Sequence, residues 1–358
     1  MSLVSKLQRI PVFSRLGHEF SEGAKAASKI VAPFGIYRNP LAPPPPKRDS
    51  LRIMSYNVLN GGQDYLSIKT NIAKGGADVV GLQEISRENA EKLAHELNMH
   101  LAYFDRPDVA GKAILSRYPI KSGGHVDYPV SMGDRLSLYL KKVLNGEKKS
   151  FECLEARGML VSNIEASGRK ITLIDTHLTL GVVDFNAKQL AFLDDFAEKQ
   201  RAKGYEVVIT GDFNTNFNIQ KVSGGANSAE FEDQTDSVEE YRKRYEKNAG
   251  NAQDASDRAA LRKLQQDFNP FWEAKDKSVI DKEGKKMTPD QARAELKKVS
   301  KGSDRFDELV DIADGNSHVK ADKRFDNILS SLKVKESWID LSAKGSDHQP
   351  VFTELDLR

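Results

Sequence analysis

Short apolar runs, each ending on a polar residue, recur along this chain. The clearest occupies positions 206–214 and reads EVVITGDFN. Its successive apolar or β-branched residues predict a strand that is buried on both faces. A carboxylate and a carboxamide at the end of such a strand are costly to desolvate unless something binds there. Asp212 and Asn214 therefore mark a candidate site.

The same pattern predicts strands and helices over most of the chain after residue 50. Strands are predicted at 51–59, 78–85, 101–104, 113–115, 137–143, 154–164, 170–178, 206–210, 324–329, 336–341 and 351–355. Helices are predicted at 65–74, after the N-cap residue Ser86, and at 185–201, where apolar residues repeat at helical spacing. The lysine-rich stretch 141–149 is predicted to be a solvated turn.

Two segments differ in amino-acid composition from the rest of the chain. Residues 1–50 are predicted to be an N-terminal extension, because prolines at 40 and 43–46 favour an extended linker. Residues 51–358 are predicted to form the folded domain, with a charged, mostly helical insert at about 218–323. We expect that replacing 222–314 by a short linker leaves a folded domain. The aromatic cluster 268–272 is predicted to anchor the insert, and a lipid-facing or base-stacking surface is the alternative.

Composition excludes several classes of protein. The chain has 358 residues and a formal net charge of only +2, so overall charge does not indicate a nucleic-acid binder. A single cysteine, Cys153, excludes an intramolecular disulfide. The sequence has no apolar run of membrane-spanning length and no recognisable signal peptide. We expect a soluble protein that is cytoplasmic or secreted by a non-classical route, and the oligomeric state stays open.

Polar residues that suit metal and acid–base chemistry lie at the predicted strand ends. They are Asn57, Glu84, His177, Asp212, Asn214, Asp326, Asp347 and His348. Strand ends of one sheet can share an edge, so these side chains are candidates to converge. Oxygen ligands without cysteine suit a hard cation, Mg²⁺ before Mn²⁺ or Ca²⁺. A histidine beside acids suits a general base that a carboxylate orients.

Five motifs in order resemble those of the endonuclease/exonuclease/phosphatase superfamily, which has the DNase I-like fold. They are 55–58 (SYNV), 82–84 (LQE), 176–178 (THL), 211–214 (GDFN) and 346–350 (SDHQP). The resemblance spans about residue 51 to residue 358, apart from the insert. It implies a four-layered α/β sandwich, with two central sheets flanked by helices, and cation-dependent cleavage of phosphoester bonds.

The resemblance also implies a role for each matching residue. Glu84 would bind the metal, with Asn57, Asp347 and Asp212 beside it. Asp212 and Asn214 would handle the nucleophile and the scissile phosphate. His348 would be the catalytic histidine that Asp326 orients, and His177 would donate to a phosphate oxygen.

Two further residues have a less certain relation to these motifs. Arg157 either binds phosphate or pairs structurally with an acid such as Glu155. Asp175 stands where the family often has an asparagine, and it would add a carboxylate near the metal.

Nucleic acid is the expected substrate of such a phosphodiesterase. A sphingomyelinase-like or phosphoinositide-directed lipid enzyme is the alternative, and a degenerate member that only binds is a third reading. The sequence departs from two branches of the family. His177 replaces the usual tyrosine of exonuclease III-type enzymes, and the signature of inositol-polyphosphate 5-phosphatases is absent. DNA and RNA are not distinguished.

Overall fold

Two β-sheets organise the part of the chain that the structure describes. The computed structural model describes residues 34–106, 109–144, 154–179, 183–214, 260, 263–264, 266–270, 277–280, 286–287, 325–340 and 342–358. The strands are β1 (Phe34–Tyr37), β2 (Ser50–Gly61), β3 (Val79–Ile85), β4 (His100–Arg106), β5 (Val109–Ser116), β6 (Ser122–Asp127), β7 (Gly158–Ala166), β8 (Arg169–His177), β9 (Glu206–Asp212), β10 (Asn269–Pro270), β11 (Lys277–Ile280), β12 (Lys286–Met287), β13 (Asp326–Ser330), β14 (Val334–Asp340) and β15 (Val351–Asp356). The helices are α1 (Tyr65–Gly75), α2 (Arg87–Glu96), α3 (Met132–Leu144) and α4 (Val183–Ala202).

Each sheet mixes parallel and antiparallel pairs. Sheet 1 has the strand order β1-β4-β5-β3-β2-β15-β14-β11-β12, and sheet 2 has the order β10-β13-β9-β8-β7-β6. The parallel pair β2–β3 lies in sheet 1, and the parallel pair β8–β9 lies in sheet 2. In sheet 1 the late strand β15 pairs directly with the early strand β2. These pairs place the polar ends of distant segments side by side.

Hydrophobic contacts show that the two sheets pack face to face with helices outside them. Ile53 of β2 belongs to the apolar cluster that also contains Leu173 and Val208 of sheet 2. The next residue, Met54, points to the opposite face and joins a cluster with residues of α1 and α2. On the outer face of sheet 2, α4 contributes Leu190 to a third cluster. The predicted four-layered α/β sandwich is therefore confirmed.

The helix caps follow from the residues at the helix starts. The Ser86 side chain accepts a hydrogen bond from the backbone N–H of Asn89, as predicted for an N-cap. Asp64 caps α1 in the same way, and Gly76 ends that helix in the left-handed conformation. No helix among the described residues is both long and apolar enough to cross a membrane.

Two stretches fold differently from the sequence prediction. Residues 137–143 were predicted to be a strand, but they belong to helix α3. The local run of apolar residues is β-like, whereas Met132, Leu136, Leu140 and Leu144 recur every four residues along the whole segment. Residues 141–144, predicted to begin a solvated turn, close the same helix, and 145–149 lie outside the described residues.

The predicted N-terminal extension also contributes to the sheet. Strand β1 lies within residues 1–50, and it pairs antiparallel with β4. Phe34 of β1 is the register partner of Phe104 on β4. Such cross-strand aromatic pairs stabilise a sheet, and this pair helps to hold the short strand β1 in place. Strand β6 likewise had no counterpart in the prediction, because its residues are mostly small or polar.

Most of the predicted insert lies outside the described residues. The described pieces pack on the domain: β10 pairs with β13, and β11 pairs with β14. Leu264 and Phe268 are buried in the cluster between sheet 2 and α4. The anchoring role predicted for the aromatic cluster fits the burial of Phe268.

Candidate active site

A histidine and an aspartate form a close polar pair at the site. Asp326 is the first residue of β13, and its register partner on β9 is Asp212. His348 immediately precedes the Gln349–Pro350 segment that leads into β15. Its Nδ1 atom lies 2.6 Å from Oδ2 of Asp326, and both side chains are buried. The carboxylate thus fixes the orientation of the imidazole ring.

The electrostatic surroundings keep His348 protonated. Burial by itself lowers the pKa of His348, because it disfavours the charged form. The charge and hydrogen bond of Asp326, and the charges of Asp212 and Asp347, outweigh burial and raise this pKa to about 10. Without a bound cation, His348 is therefore an imidazolium at neutral pH.

One oxygen of Asp212 is the point at which groups from both sheets meet. Its Oδ2 atom is 3.0 Å from Nδ2 of Asn57, 3.5 Å from Nε2 of His177 and 3.8 Å from Nε2 of His348. Asp212 ends β9, and His177 ends the parallel neighbour β8 in register with it. Burial raises the pKa of Asp212 to about 6; the charge of His348 opposes this rise and that of Asp326 adds to it.

Asn57 links this oxygen to the carboxylate of Glu84. Its Nδ2 also lies 3.1 Å from Oε1 of Glu84, which follows Gln83 on the parallel strand β3. The amide oxygen of Asn57 accepts a hydrogen bond from the backbone N–H of Leu59, which fixes the orientation of the amide. Asn57 therefore contacts two carboxylates, Glu84 from sheet 1 and Asp212 from sheet 2, at nearly equal distances.

Two site residues adopt backbone conformations that residues other than glycine rarely adopt. Glu84 has a φ of 56° and Asn214 a φ of 47°, both in the left-handed region. Such conformations cost about 1–3 kcal/mol for a non-glycine residue and are concentrated at functional sites. At Asn214 the backbone N–H donates to Oδ1 of Asp212, and Nδ2 donates to the carbonyl of Leu178.

His177 and Arg157 supply donors beside the carboxylates. Burial lowers the pKa of His177 well below its ordinary value, and the positive charges of Arg157, Lys112 and His348 lower it further. His177 is therefore neutral. The Nη2 atom of Arg157 lies 2.5 Å from Oε2 of Glu155, while Nε and Nη1 have no hydrogen-bond acceptor among the described residues. The sequence left phosphate binding and pairing with Glu155 open for Arg157; the structure contains the pair with Glu155, and phosphate binding stays a prediction.

Asp347 lies on the loop that carries His348. The loop is tied to β2, because Ser346 donates from its hydroxyl to the carbonyl of Asn57 and accepts from the backbone N–H of His348. Ser346 was not singled out as a site residue in the sequence. Its place in the SDHQP motif is the signal that could have identified it.

The donor set fits a hard divalent cation. Asp212, Asp326 and His348 offer ligand atoms within 4.8 Å of one another. However, Oδ2 of Asp326 is engaged with His348, so the oxygens of Glu84 and Asp212 are the better donors. Carboxylate oxygens are the ligands that Mg²⁺ prefers, and the side chain of Glu84 is 24% exposed, which gives solvent access.

Asp175 does not lie with these carboxylates. It is fully buried between the sheets and accepts hydrogen bonds from Gln83 and Thr210. The expectation that it adds a carboxylate near the metal is therefore wrong. Residues 175 and 177 share one face of β8, so Asp175 lies deeper between the sheets than His177.

Comparisons with known proteins bear on the family and the fold. A model described as the endonuclease/exonuclease/phosphatase family matches residues 54–348. A Bacteroides vulgatus endonuclease/exonuclease/phosphatase is 14% identical, with a TM-score of 0.51, and the match covers 87% of this chain and 100% of that one. A Beutenbergia cavernae protein of the same description is 18% identical, with a TM-score of 0.50, and the match covers 87% of this chain and 72% of that one.

A third solved structure is that of D. rerio TDP2 complexed with single strand DNA product. It is 14% identical to this chain, with a TM-score of 0.50, and the match covers 86% of this chain and 100% of that chain. No curated protein matches the sequence.

Proposed function

This chain belongs to the endonuclease/exonuclease/phosphatase family, and from that premise we propose that it is a divalent-cation-dependent phosphodiesterase that hydrolyses nucleic acid. The observation that carries the proposal is the convergence on Asp212: a His348–Asp326 pair, neutral His177 and the Asn57–Glu84 pair all lie around one carboxylate. A histidine that is oriented by a carboxylate, next to oxygen ligands for a metal ion, is typical of sites for metal-assisted hydrolysis.

The residues divide the work of hydrolysis between them. His348, held in one orientation by Asp326, would take the proton of the attacking water once it is in its neutral form. Asp212 would orient that water. His177 would donate an N–H to a phosphate oxygen without adding charge, and Asn214 has a second amide N–H besides the one bonded to Leu178.

A cation at Glu84 and Asp212, with Asn57 and Asp347 beside it, would complete the site. Mg²⁺ is the expected ion, with Mn²⁺ or Ca²⁺ as alternatives. When bound, it would neutralise phosphate charge as a Lewis acid and oppose the carboxylates that keep His348 protonated. The free donors of Arg157 suit a second phosphate oxygen.

Nucleic acid is proposed as the substrate because a fold neighbour is known with a single strand DNA product. The test is a panel of DNA, RNA, sphingomyelin vesicles and phosphoinositides, each incubated with Mg²⁺ or with EDTA. We expect Mg²⁺-dependent cleavage of DNA or RNA by the wild type, and cleavage slower by about 10²–10⁴-fold with His348→Ala. Release of product only from a lipid would contradict the substrate assignment but not the phosphodiesterase.

One observation favours the lipid alternative. Helix α3 exposes four apolar side chains at four-residue spacing: Met132 (54%), Leu136 (42%), Leu140 (38%) and Leu144 (84%). It connects β6 to β7, and β7 begins beside the end of β8, which carries His177. An exposed apolar stripe of this kind suits a membrane surface.

Lipid and nucleic acid as substrates predict different effects of mutating the exposed apolar residues of α3. If lipid is the substrate, Leu140→Asn combined with Leu144→Asn should reduce hydrolysis of vesicles and spare hydrolysis of a soluble phosphodiester. If nucleic acid is the substrate, the double variant should cleave it like the wild type.

A further inference from the structure

A buried polar cluster lies between the two sheets directly beneath the site. Its members are Gln83, Lys112, Asp175 and Thr210, and all four are buried. Oδ1 of Asp175 accepts a hydrogen bond of 2.6 Å from Nε2 of Gln83 and one of 2.7 Å from the hydroxyl of Thr210. Charged groups are rarely buried so fully without compensation. The proposed reaction uses none of the four side chains.

Lys112 projects into the space between the sheets beside Gln83. Burial raises the pKa of Asp175 well above its ordinary value, while the hydrogen bonds from Thr210 and Gln83 and the positive charge of Lys112 lower it. Lys112 is the register partner of Gln83 on the neighbouring strand β5. The lysine therefore joins the cluster from sheet 1, and Asp175 joins it from sheet 2.

Three of the four strands that contribute to the cluster, β3, β8 and β9, continue within one or two residues into the site. Gln83 precedes Glu84 on β3, Asp175 is two residues before His177 on β8, and Thr210 is two residues before Asp212 on β9. The hydrogen bond from Gln83 thus connects the sheet that carries Glu84 to the sheet that carries Asp212 and His177. The hydrogen bond from Thr210 joins β9 to β8 within sheet 2 and holds the Asp175 carboxylate that Gln83 contacts.

The sheets approach closely at this level because β3 has a glycine there. A Cβ atom on Gly81 would lie 2.1 Å from the hydroxyl oxygen of Thr210 and 2.4 Å from Oδ1 of Asp175. Both distances are far shorter than van der Waals contact. The missing side chain leaves the space that Asp175 and Thr210 occupy.

We propose that Lys112, Asp175, Gln83 and Thr210 act as a positioning cluster that sets the spacing of the two sheets and so holds Glu84 within reach of Asp212. The inference rests on the proposed function, since it assigns these residues to the cation and phosphate site. The four are positioning residues and touch neither the cation nor the substrate. A merely structural cluster would affect stability and leave the site unchanged.

Cation affinity tests the proposal independently of hydrolysis. Thr210→Val keeps the shape of the side chain and removes one hydrogen bond to Asp175. We expect it to fold and to weaken Mn²⁺ binding, measured by electron paramagnetic resonance, by about 10-fold, since outer-shell partners contribute about 10–100-fold. We expect kcat to fall in parallel and KM to change little. The matched control is Thr172→Val, a buried threonine of β8 that bonds Asn163 instead, and it should bind Mn²⁺ like the wild type.

The charged pair provides a rescue experiment. Lys112→Met removes a positive charge that favours the ionised form of Asp175 and should lower both the melting temperature and Mn²⁺ affinity. Adding Asp175→Asn removes that carboxylate, so the double variant should recover much of both. Unchanged Mn²⁺ affinity and kcat in folded Thr210→Val would overturn the proposal, as would a double variant that regains stability without any Mn²⁺ affinity.

The outcomes also separate this inference from the proposed function. A wild type that binds Mn²⁺ but hydrolyses no phosphodiester would contradict the function alone, and the affinity measurements would still decide the role of the cluster. A wild type that binds no Mn²⁺ would overturn both.

Discussion

His348 and Asp326 are joined by a contact of 2.6 Å between Nδ1 and Oδ2, with Asp212 on the far side of the imidazole ring. Because both residues act through one proton transfer, their contributions to rate should not be independent. His348→Ala should lose about 10²–10⁴-fold in rate, and Asp326→Asn should also cause a large loss. The double variant should be little worse than His348→Ala alone. The measurement is kcat/KM for the two single variants and the double, and losses that multiply would give Asp326 another role.

The next prediction concerns Glu84, because its negative charge should contribute most to binding the cation. Glu84→Gln keeps the size of the side chain and removes the charge, so cation-dependent hydrolysis should disappear while the melting temperature stays near that of the wild type. Glu88→Gln, an exposed position in the first turn of α2, is the matched control and should retain full activity. Wild-type activity of Glu84→Gln at low Mg²⁺ would contradict the assignment.

Asp212 should make cation binding depend on pH. Its folded-state pKa of about 6 lies above the ordinary value of 3.8. Its protonated form is therefore favoured by folding: the stabilisation is full below pH 3.8 and is lost as pH rises through about 6. A cation competes with that proton, so Mg²⁺ should raise the melting temperature more at about pH 7.5 than at about pH 5.

The control for this pH effect is Asp212→Asn, in which the pH-dependent part of the Mg²⁺ effect should be absent. An Mg²⁺-induced shift of equal size at both pH values in the wild type would show that Asp212 is not a ligand.

Arg157 distinguishes a phosphate ligand from a structural ion pair. A charge-assisted hydrogen bond contributes about 1.5–3 kcal/mol, so Arg157→Met should lower kcat/KM by about 10–100-fold if Arg157 binds phosphate. Glu155→Gln removes only the ion-pair partner and should have a much smaller effect. If both variants lose thermal stability equally and keep kcat/KM, the arginine is structural.

Phe268 changes the expectation for the insert. It is 1% exposed and packs in the cluster between sheet 2 and α4, so Phe268→Ala should lower the free energy of unfolding by about 3–5 kcal/mol. Leu66→Ala, at a side chain that is 74% exposed, should change it by less than about 0.5 kcal/mol. Replacing residues 222–314 by a linker would remove Phe268 and Leu264, so we now expect that deletion to destabilise the domain. A cooperative, wild-type transition in the deletion variant would contradict this expectation.

The sequence predicted the buried strands of the fold well, and for a physical reason. Strands such as β3 and β9 are covered on both faces, so they must consist of consecutive apolar residues that end where polar chemistry begins. Helix α3 was missed because its short apolar run suits a strand, and only the four-residue spacing over its full length distinguishes the two. Strand β1 was missed because the prolines that follow it suggested a linker.

The site residues could be named from their motifs, but their arrangement could not. That Asn57 contacts both Glu84 and Asp212 depends on how two sheets pack, and no local pattern encodes this spacing. The position of Asp175 between the sheets was missed for the same reason. Its neighbours Gln83 and Thr210 come from different sheets and are far apart in sequence.

The pairing of β15 with β2 has a consequence for synthesis of the protein on the ribosome. His348 and the strand that follows it are translated about 290 residues after Asn57, yet β15 fills a central place between β2 and β14. Until residues 348–356 have been synthesised and have folded, sheet 1 has a gap between β2 and β14 and the site lacks His348. A nascent chain that has not yet reached β15 should therefore be inactive, and a chain truncated before β15 should neither fold nor cleave.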